Sequence, residues 1–271
     1  MQDLQVGTTK GVTSFGLGGI KHRIRTTFDI EKKLYGCIAL QTSDRLVVTD
    51  SYNCSIKLVD IVLHKVLHQL KLNSLPWGVC CLPGNRVAVT LPFSDMILIL
   101  ECNDRLTIVK SIAVQGVCWD IDYNSTDLVV LYRRPKQIDI VDMDDGKLKQ
   151  RFLEKGTDIT SSLSVCADKK VTFITDFDDK QILRLDEDLQ VQQIYHLPEV
   201  AKPTCLLAVG RNQLLVCCSD KLWQLDTVIG RWSLLLGEGF RGVDSMAYCH
   251  ERHILYAGVL PDNVVKRYLF P

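Results

Sequence analysis

Apolar residues along this chain fall in short runs of about four to eight, bounded by Gly, Asn, Asp and Pro, while the i, i+3, i+4 spacing of an amphipathic helix is hard to find. That pattern predicts an all-β protein. One run recurs at residues 45–50, 86–90, 127–131, 170–176, 213–216 and 253–256. Its first apolar residues are Leu46, Val87, Leu128, Val171, Leu214 and Ile254, spaced by 41, 41, 43, 43 and 40 positions. After a short polar turn each run is followed by a second strand, at 55–60, 96–100, 137–142, 181–186, 221–226 and 263–268. Four of these end in the turn-former Asp: Asp60, Asp142, Asp186 and Asp226. An inner strand precedes each run (36–40, 77–82, 117–121, 163–166, 205–209, 245–249), and a weaker outer strand follows most second strands, as at 66–70 and 106–112.

Four strands in about 40 residues is the length of one β-propeller blade, so six repeats predict a six-bladed propeller of four-stranded blades. The last repeat lacks an outer strand, and residues 22–30 form a strand left over before the first. Pairing the two closes the ring and removes a sheet edge, with the N-terminal strand completing the last blade. Residues 1–20, rich in Gly and Thr, read as a flexible lead-in, and 21–271 as one propeller domain.

Composition narrows the function classes. The chain has 271 residues, 46% hydrophobic and 24% charged, with Lys+Arg 32 balancing Asp+Glu 32. A neutral chain lacks the positive field of a dedicated nucleic-acid or anionic-membrane binder. No apolar stretch approaches the roughly 20 residues of a membrane span, and the N-terminus shows no basic segment followed by an apolar one. The expectation is a cytoplasmic protein without membrane contact. The eleven cysteines include no C-x-x-C pair. Cys37, Cys80 with Cys81, Cys118, Cys166, Cys205 and Cys249 fall in the inner strands, in two layers, which suits reduced packing residues near the axis better than a metal site.

The segment Val48-Thr49-Asp50-Ser51-Tyr52-Asn53-Cys54-Ser55-Ile56-Lys57-Leu58-Val59-Asp60 resembles the NHL repeat: an apolar strand ending in Asp, a Ser/Asn turn, then an Ile-x-apolar strand. Residues 174–182 look like a degraded second copy, and Pro76-Trp77-Gly78-Val79 is similar to the Pro-x-Gly-apolar start of an NHL inner strand. The repeat covers about residues 22–271, and the family signature is clear in one blade. The resemblance implies the propeller found at the C-terminus of tripartite-motif ubiquitin ligases, where it selects a protein or an RNA. The chain carries neither RING or B-box zinc-ligand spacing nor a heptad coiled coil, so recognition carries over and ligase activity does not.

Catalytic signatures are weak. Gly237-Glu238-Gly239-Phe240-Arg241-Gly242 matches G-x-G-x-x-G, but a strand follows where a helix N-terminus must hold the pyrophosphate, so it reads as a connecting loop. His64 and His68 lack a third metal ligand, and His250 and His253 sit at a turn with no further ligand in view. Asp142, Asp144 and Asp145 read as a solvated turn. Asp176, Asp178 and Asp179 are the better calcium candidates, which keeps a calcium-dependent lactonase-like hydrolase as an alternative. No catalytic residue, metal site, cofactor or small-molecule substrate is expected.

The expected site is the propeller face carrying the loops between second and third strands and those between blades. There the sequence places Tyr52, Asn53, Trp77, Phe93, Trp119, Tyr132, Arg133, Arg134, Phe177, Phe240 and Arg241. Aromatic and Arg side chains together are the composition of binding hot spots. Arg133 and Arg134 with Lys136 suit an acidic peptide or a phosphate backbone. Acidic loops at Asp95, Asp178, Asp179, Asp220 and Asp262 interrupt any continuous basic field, so a protein or peptide partner outranks RNA.

Overall fold

The computed structural model describes residues 18–25, 38–42, 44–153, 162–166, 170–176, 179–198, 202–210, 212–259 and 264–269. Strand β1 (Gly18–Arg25) stands apart in sequence from the blades that follow. Blade 1 comprises β2 (Ile38–Thr42), β3 (Arg45–Asp50), β4 (Ser55–Asp60) and β5 (Lys65–Lys71); blade 2 comprises β6 (Val79–Leu82), β7 (Arg86–Leu91), β8 (Met96–Cys102) and β9 (Leu106–Ala113). Blade 3 is β10 (Cys118–Tyr123), β11 (Asp127–Arg133), β12 (Lys136–Asp142) and β13 (Leu148–Leu153), and blade 4 is β14 (Leu163–Cys166), β15 (Val171–Asp176), β16 (Gln181–Leu185) and β17 (Val191–His196). Blade 5 holds β18 (Pro203–Ala208), β19 (Gln213–Cys218), β20 (Lys221–Asp226) and β21 (Arg231–Leu236). Blade 6 holds β22 (Val243–Cys249), β23 (Ile254–Val259) and β24 (Val264–Leu269), and β1 completes it by pairing antiparallel with β24.

The protein is thus an all-β, six-bladed propeller of antiparallel four-stranded sheets. The closing strand begins at Gly18, four residues before the predicted start and inside the expected lead-in. Inner strands also differ from the predicted bounds by about two residues in most blades.

The two middle strands of a blade are sandwiched between neighbouring blades, so both of their faces are dry. In β3 and β4 every residue from Leu46 to Asp50 and from Ser55 to Val59 is buried. Near-continuous apolar runs are the sequence signature of such strands, which is why the second strand of each repeat anchors the pattern. Outer strands keep one face in water: β9 and β17 are exposed at most positions, and their sequence signal is correspondingly weak.

The core is six apolar clusters, one at each junction between successive blades, and the junction of blades 6 and 1 (Ile38, Leu46, Val48, Ala247, Tyr256, Val265) closes the ring. Each fully buried Leu, Ile or Val contributes about 1.5–3 kcal/mol. Register shifts recur in two places. Between third and fourth strands they appear in all six blades, where extra residues bend the outer strand. Between first and second strands they appear at Trp119, Thr204 and Asp244, each an extra residue at the start of an inner strand, and at Gln41 near the end of β2.

Candidate functional site: the mouth of the central channel

The six inner strands surround a channel with a cavity of about 220 Å³, to which β2, β6, β10, β14, β18 and β22 all contribute. Its mouth opens on the face carrying the loops singled out in the sequence. Hydroxyls at the ends of second strands stitch that face together. Thr90 Oγ1 accepts from Gly78 N–H in its own blade (2.8 Å) and donates to the Trp119 carbonyl of the next (3.2 Å). Thr49 Oγ1 likewise donates to the Trp77 carbonyl, and Ser51 Oγ to the Pro76 carbonyl. Thr204 Oγ1 donates to the Val243 carbonyl, linking blades 5 and 6 at the same height.

On this frame Trp77 and Trp119 lie side by side, ring centroids 4.0 Å apart and tilted by 37°. The Arg133 guanidinium carbon sits 3.6 Å above the Trp119 ring, close enough for a cation–π interaction. Arg133 is held there by its backbone: its N–H donates to the Val117 carbonyl, and Val117 N–H donates to the Arg134 carbonyl. Gly116, at φ 118°, permits that approach, since a Cβ there would lie 2.8 Å from the Arg134 carbonyl oxygen.

Across the channel, on blade 6, Asp244 faces Arg133. Burial pushes its carboxyl up to about 6 against the pull of the Arg133 charge. Desolvation in turn lowers Arg133. Asp120 lines the channel beside Trp119, its Oδ1 accepting from Ile121 N–H (2.9 Å). Deeper, Asp122 accepts from Val165 N–H (2.7 Å) and Tyr123 N–H (2.8 Å), and burial pushes it up to about 6. Asp122 therefore serves the junction of blades 3 and 4. Cys80, Cys81 and Cys205 also line the wall, and burial raises the Cys81 thiol to about 12, so it stays protonated.

The predicted site residues divide into four groups. Tyr52 (46% exposed), Phe93 (68% exposed), Arg134 and Arg241 are on the surface. Trp77, Trp119 and Arg133 are half-buried and form the stack at the mouth. Asn53, Tyr132 and Phe240 are not presented for binding. Asn53 turns its amide onto both Asp50 carboxylate oxygens (3.0 and 2.9 Å), shaping its own turn. Tyr132 is buried against blade 2, because alternation along β11 turns it into that junction. Phe240 is buried against Tyr268, ring centroids 4.8 Å apart, fixing the connection between blades 5 and 6. Phe177 lies outside the described residues, as does Asp178 of the calcium candidates.

Asp176 caps its own turn, accepting from Asp179 N–H (3.1 Å) and Gln181 Nε2 (3.0 Å). Asp142 does the same for Asp144 and Asp145. Among the described residues no group of three or more His, Cys, Asp or Glu is arranged to hold a metal ion, and no helix is long and apolar enough to cross a membrane. His68 Nδ1 accepts from Leu106 N–H of blade 2 (3.2 Å), a structural contact between blades. The Gly237–Gly242 segment is a loop anchored on Asp220, whose Oδ1 accepts from Gly239 and Arg241 N–H (3.1 and 2.7 Å), and β22 follows it.

The sequence reading passed over Asp120, Asp244 and Ser245. A signal was available, since an inner strand packed on both sides has little use for carboxylates, yet β10 carries two. Chemically, the mouth combines an aromatic platform, a cation resting on it and carboxylates behind it, with exposed Tyr52, Phe93 and Arg134 in the loops of blades 1, 2 and 3 on the same face. A scan against protein-family models finds none that matches this chain, and a search of curated proteins finds no match.

Proposed function

We propose that the protein is a non-catalytic recognition module of NHL type, working in the cytoplasm and binding a protein partner through the face at the channel mouth. The observation that carries this reading is the half-buried Trp77–Trp119–Arg133 stack on the face where the loops of blades 1 to 3 expose Tyr52, Phe93 and Arg134. Rigid aromatic anchors beside arginines are what dominate binding energy at protein interfaces. Carboxylates at the mouth, Asp120 and Asp244, oppose a phosphate backbone there and favour protein over RNA. The similarity to NHL repeats extends the proposal to substrate recognition for ubiquitination as part of a tripartite-motif-type protein.

Affinity purification with mass spectrometry tests it, comparing the wild type with a Phe93→Ala, Arg134→Ala double variant, with and without nuclease. Both side chains are exposed, so the variant should fold normally. Partners that survive nuclease and are lost in the variant support protein recognition on this face. Partners lost with nuclease alone would refute it in favour of RNA.

A further inference from the structure

Building on that reading of the face, we propose that the channel mouth binds a guanidinium-terminated side chain, an arginine of the partner, and that Arg133 occupies the site as an internal stand-in until the partner arrives. Both poles of the site are bulge residues. Trp119 and Asp244 are the extra residues in the β10/β11 and β22/β23 pairings, and a bulge re-aims its side chain out of the regular alternation. They sit on blades 3 and 6, opposite each other in a six-membered ring, and converge on one opening.

The resident cation fills this site incompletely. The Arg133 guanidinium rests on Trp119 and feels the Asp244 charge, yet among the described residues it makes no side-chain hydrogen bond or ion pair, and its buried Nε has no partner there. Among the described residues the Asp244 carboxylate likewise accepts no hydrogen bond. Next to it Ser245, which lines the channel and is only 7% exposed, has an Oγ without a partner. These are two of the four unpartnered buried side-chain atoms among the described residues. Buried polar atoms are normally satisfied, so the orphaned Nε marks Arg133 as a poorly seated occupant, and Ser245 Oγ beside the Asp244 carboxylate points to a missing donor. A guanidinium supplies five N–H donors in a planar fork and stacks on an aromatic face. Among the described residues the channel lining contains no Lys, Arg or His, and it offers Asp120 and Asp244 as acceptors. Arg133 reaches in from the rim on a fixed tether, whereas a side chain arriving along the channel axis is free to meet both carboxylates.

The test uses the full chain and N-acetyl-arginine methylamide as probe, with the neutral citrulline analogue as control, followed by the Trp119 indole ¹H–¹⁵N resonance. Saturable binding of the arginine probe alone is expected. Arg133→Ala should bind it roughly tenfold more tightly, because an internal competitor lowers apparent affinity by the fraction of sites it occupies. Asp244→Asn should abolish binding. If Arg133→Ala fails to fold by circular dichroism, Arg133→Gln, which keeps the stem and removes the charge, takes its place.

No saturable shift in a folded Arg133 variant overturns the proposal. So does equal binding of citrulline, indifference to Asp244→Asn, or unchanged affinity in the Arg133 variant. The outcome is separable from that of the broader reading. A partner lost with Phe93→Ala, Arg134→Ala while the probe fails refutes only the arginine site. Probe binding with partners indifferent to that double variant refutes the face as the partner-binding surface.

Discussion

Lys57 and Asp50 form an ion pair inside blade 1, Nζ to Oδ2 2.6 Å, with side-chain exposures of 0% and 1%. Removing the cation by Lys57→Met strands a carboxylate in a dry interior, a change that typically costs about 3–5 kcal/mol. A second route gives a similar ceiling. The stranded Asp50 escapes by taking up a proton, and protonating an ordinary carboxylate at pH 7 costs about 1.4 kcal/mol per pH unit above its pKa near 3.9, or about 4 kcal/mol. Burial is already the largest influence on Asp50 and pushes it upward, so loss of Lys57 drives it in the direction it leans. Asn53 still donates to Asp50 through its backbone (3.2 Å) and its amide, which favours the charged form and so keeps much of the cost of neutralisation in place.

Thermal and urea unfolding provide the assay. At roughly 2–4 °C per kcal/mol for a domain of this size, Lys57→Met should lower Tm by about 10 °C. The sign with pH follows from the raised carboxyl. Protonated Asp50 stabilises the folded variant below the unfolded pKa, and that contribution fades as pH rises through the folded one, so the deficit should shrink between pH 7 and pH 5. Adding Asp50→Leu removes the stranded charge and should recover much of the loss. A single-variant deficit below about 1 kcal/mol, or a double variant no better than the single, would refute the reasoning.

Thr90→Val leaves Gly78 N–H and the Trp119 carbonyl without their hydroxyl. It should cost about 1–3 kcal/mol in urea unfolding and alter tryptophan fluorescence by loosening the Trp77–Trp119 stack. Gly116→Ala places a Cβ 2.8 Å from the Arg134 carbonyl oxygen at a φ of 118°, and a Tm loss of at least 3 °C should accompany release of Arg133 from Trp119. Asp122, held at about 6 by burial, stabilises the fold when protonated and loses that contribution as pH rises from about 4 through 6. The stability difference between wild type and Asp122→Asn should therefore move against the wild type over that range, and a flat difference would show that Asp122 does not titrate there.

The ring was legible because its middle strands are dry on both faces. Runs such as Leu46-Val47-Val48 and Ile97-Leu98-Ile99-Leu100 carry a periodic mark that survives divergence elsewhere in the blades. The site was only partly legible. Tyr132 and Phe240 stand next to arginines in sequence, and alternation in one case and a loop staple in the other turn them inward, which composition does not reveal. Trp119 and Asp244 owe their direction to bulges, and a bulge is a mismatch between two strands. Neither strand alone records it. Asn53 looked like an exposed turn residue, but its amide is committed to a carboxylate that the depth of the Lys57 pair keeps fixed.

The seam between β1 and β24 joins the earliest described strand in the chain to the latest. On a ribosome, five blades can gather before β24 emerges, and throughout that interval β1 has no strand to pair with. Ring closure is then a late event of high sequence separation, and the slow arrival of such contacts leaves sheet edges open to other chains. Deleting residues 264–269 would remove β24 and leave β1 and β23 as two free edges, converting a closed, monomer-compatible ring into a template for strand exchange between molecules.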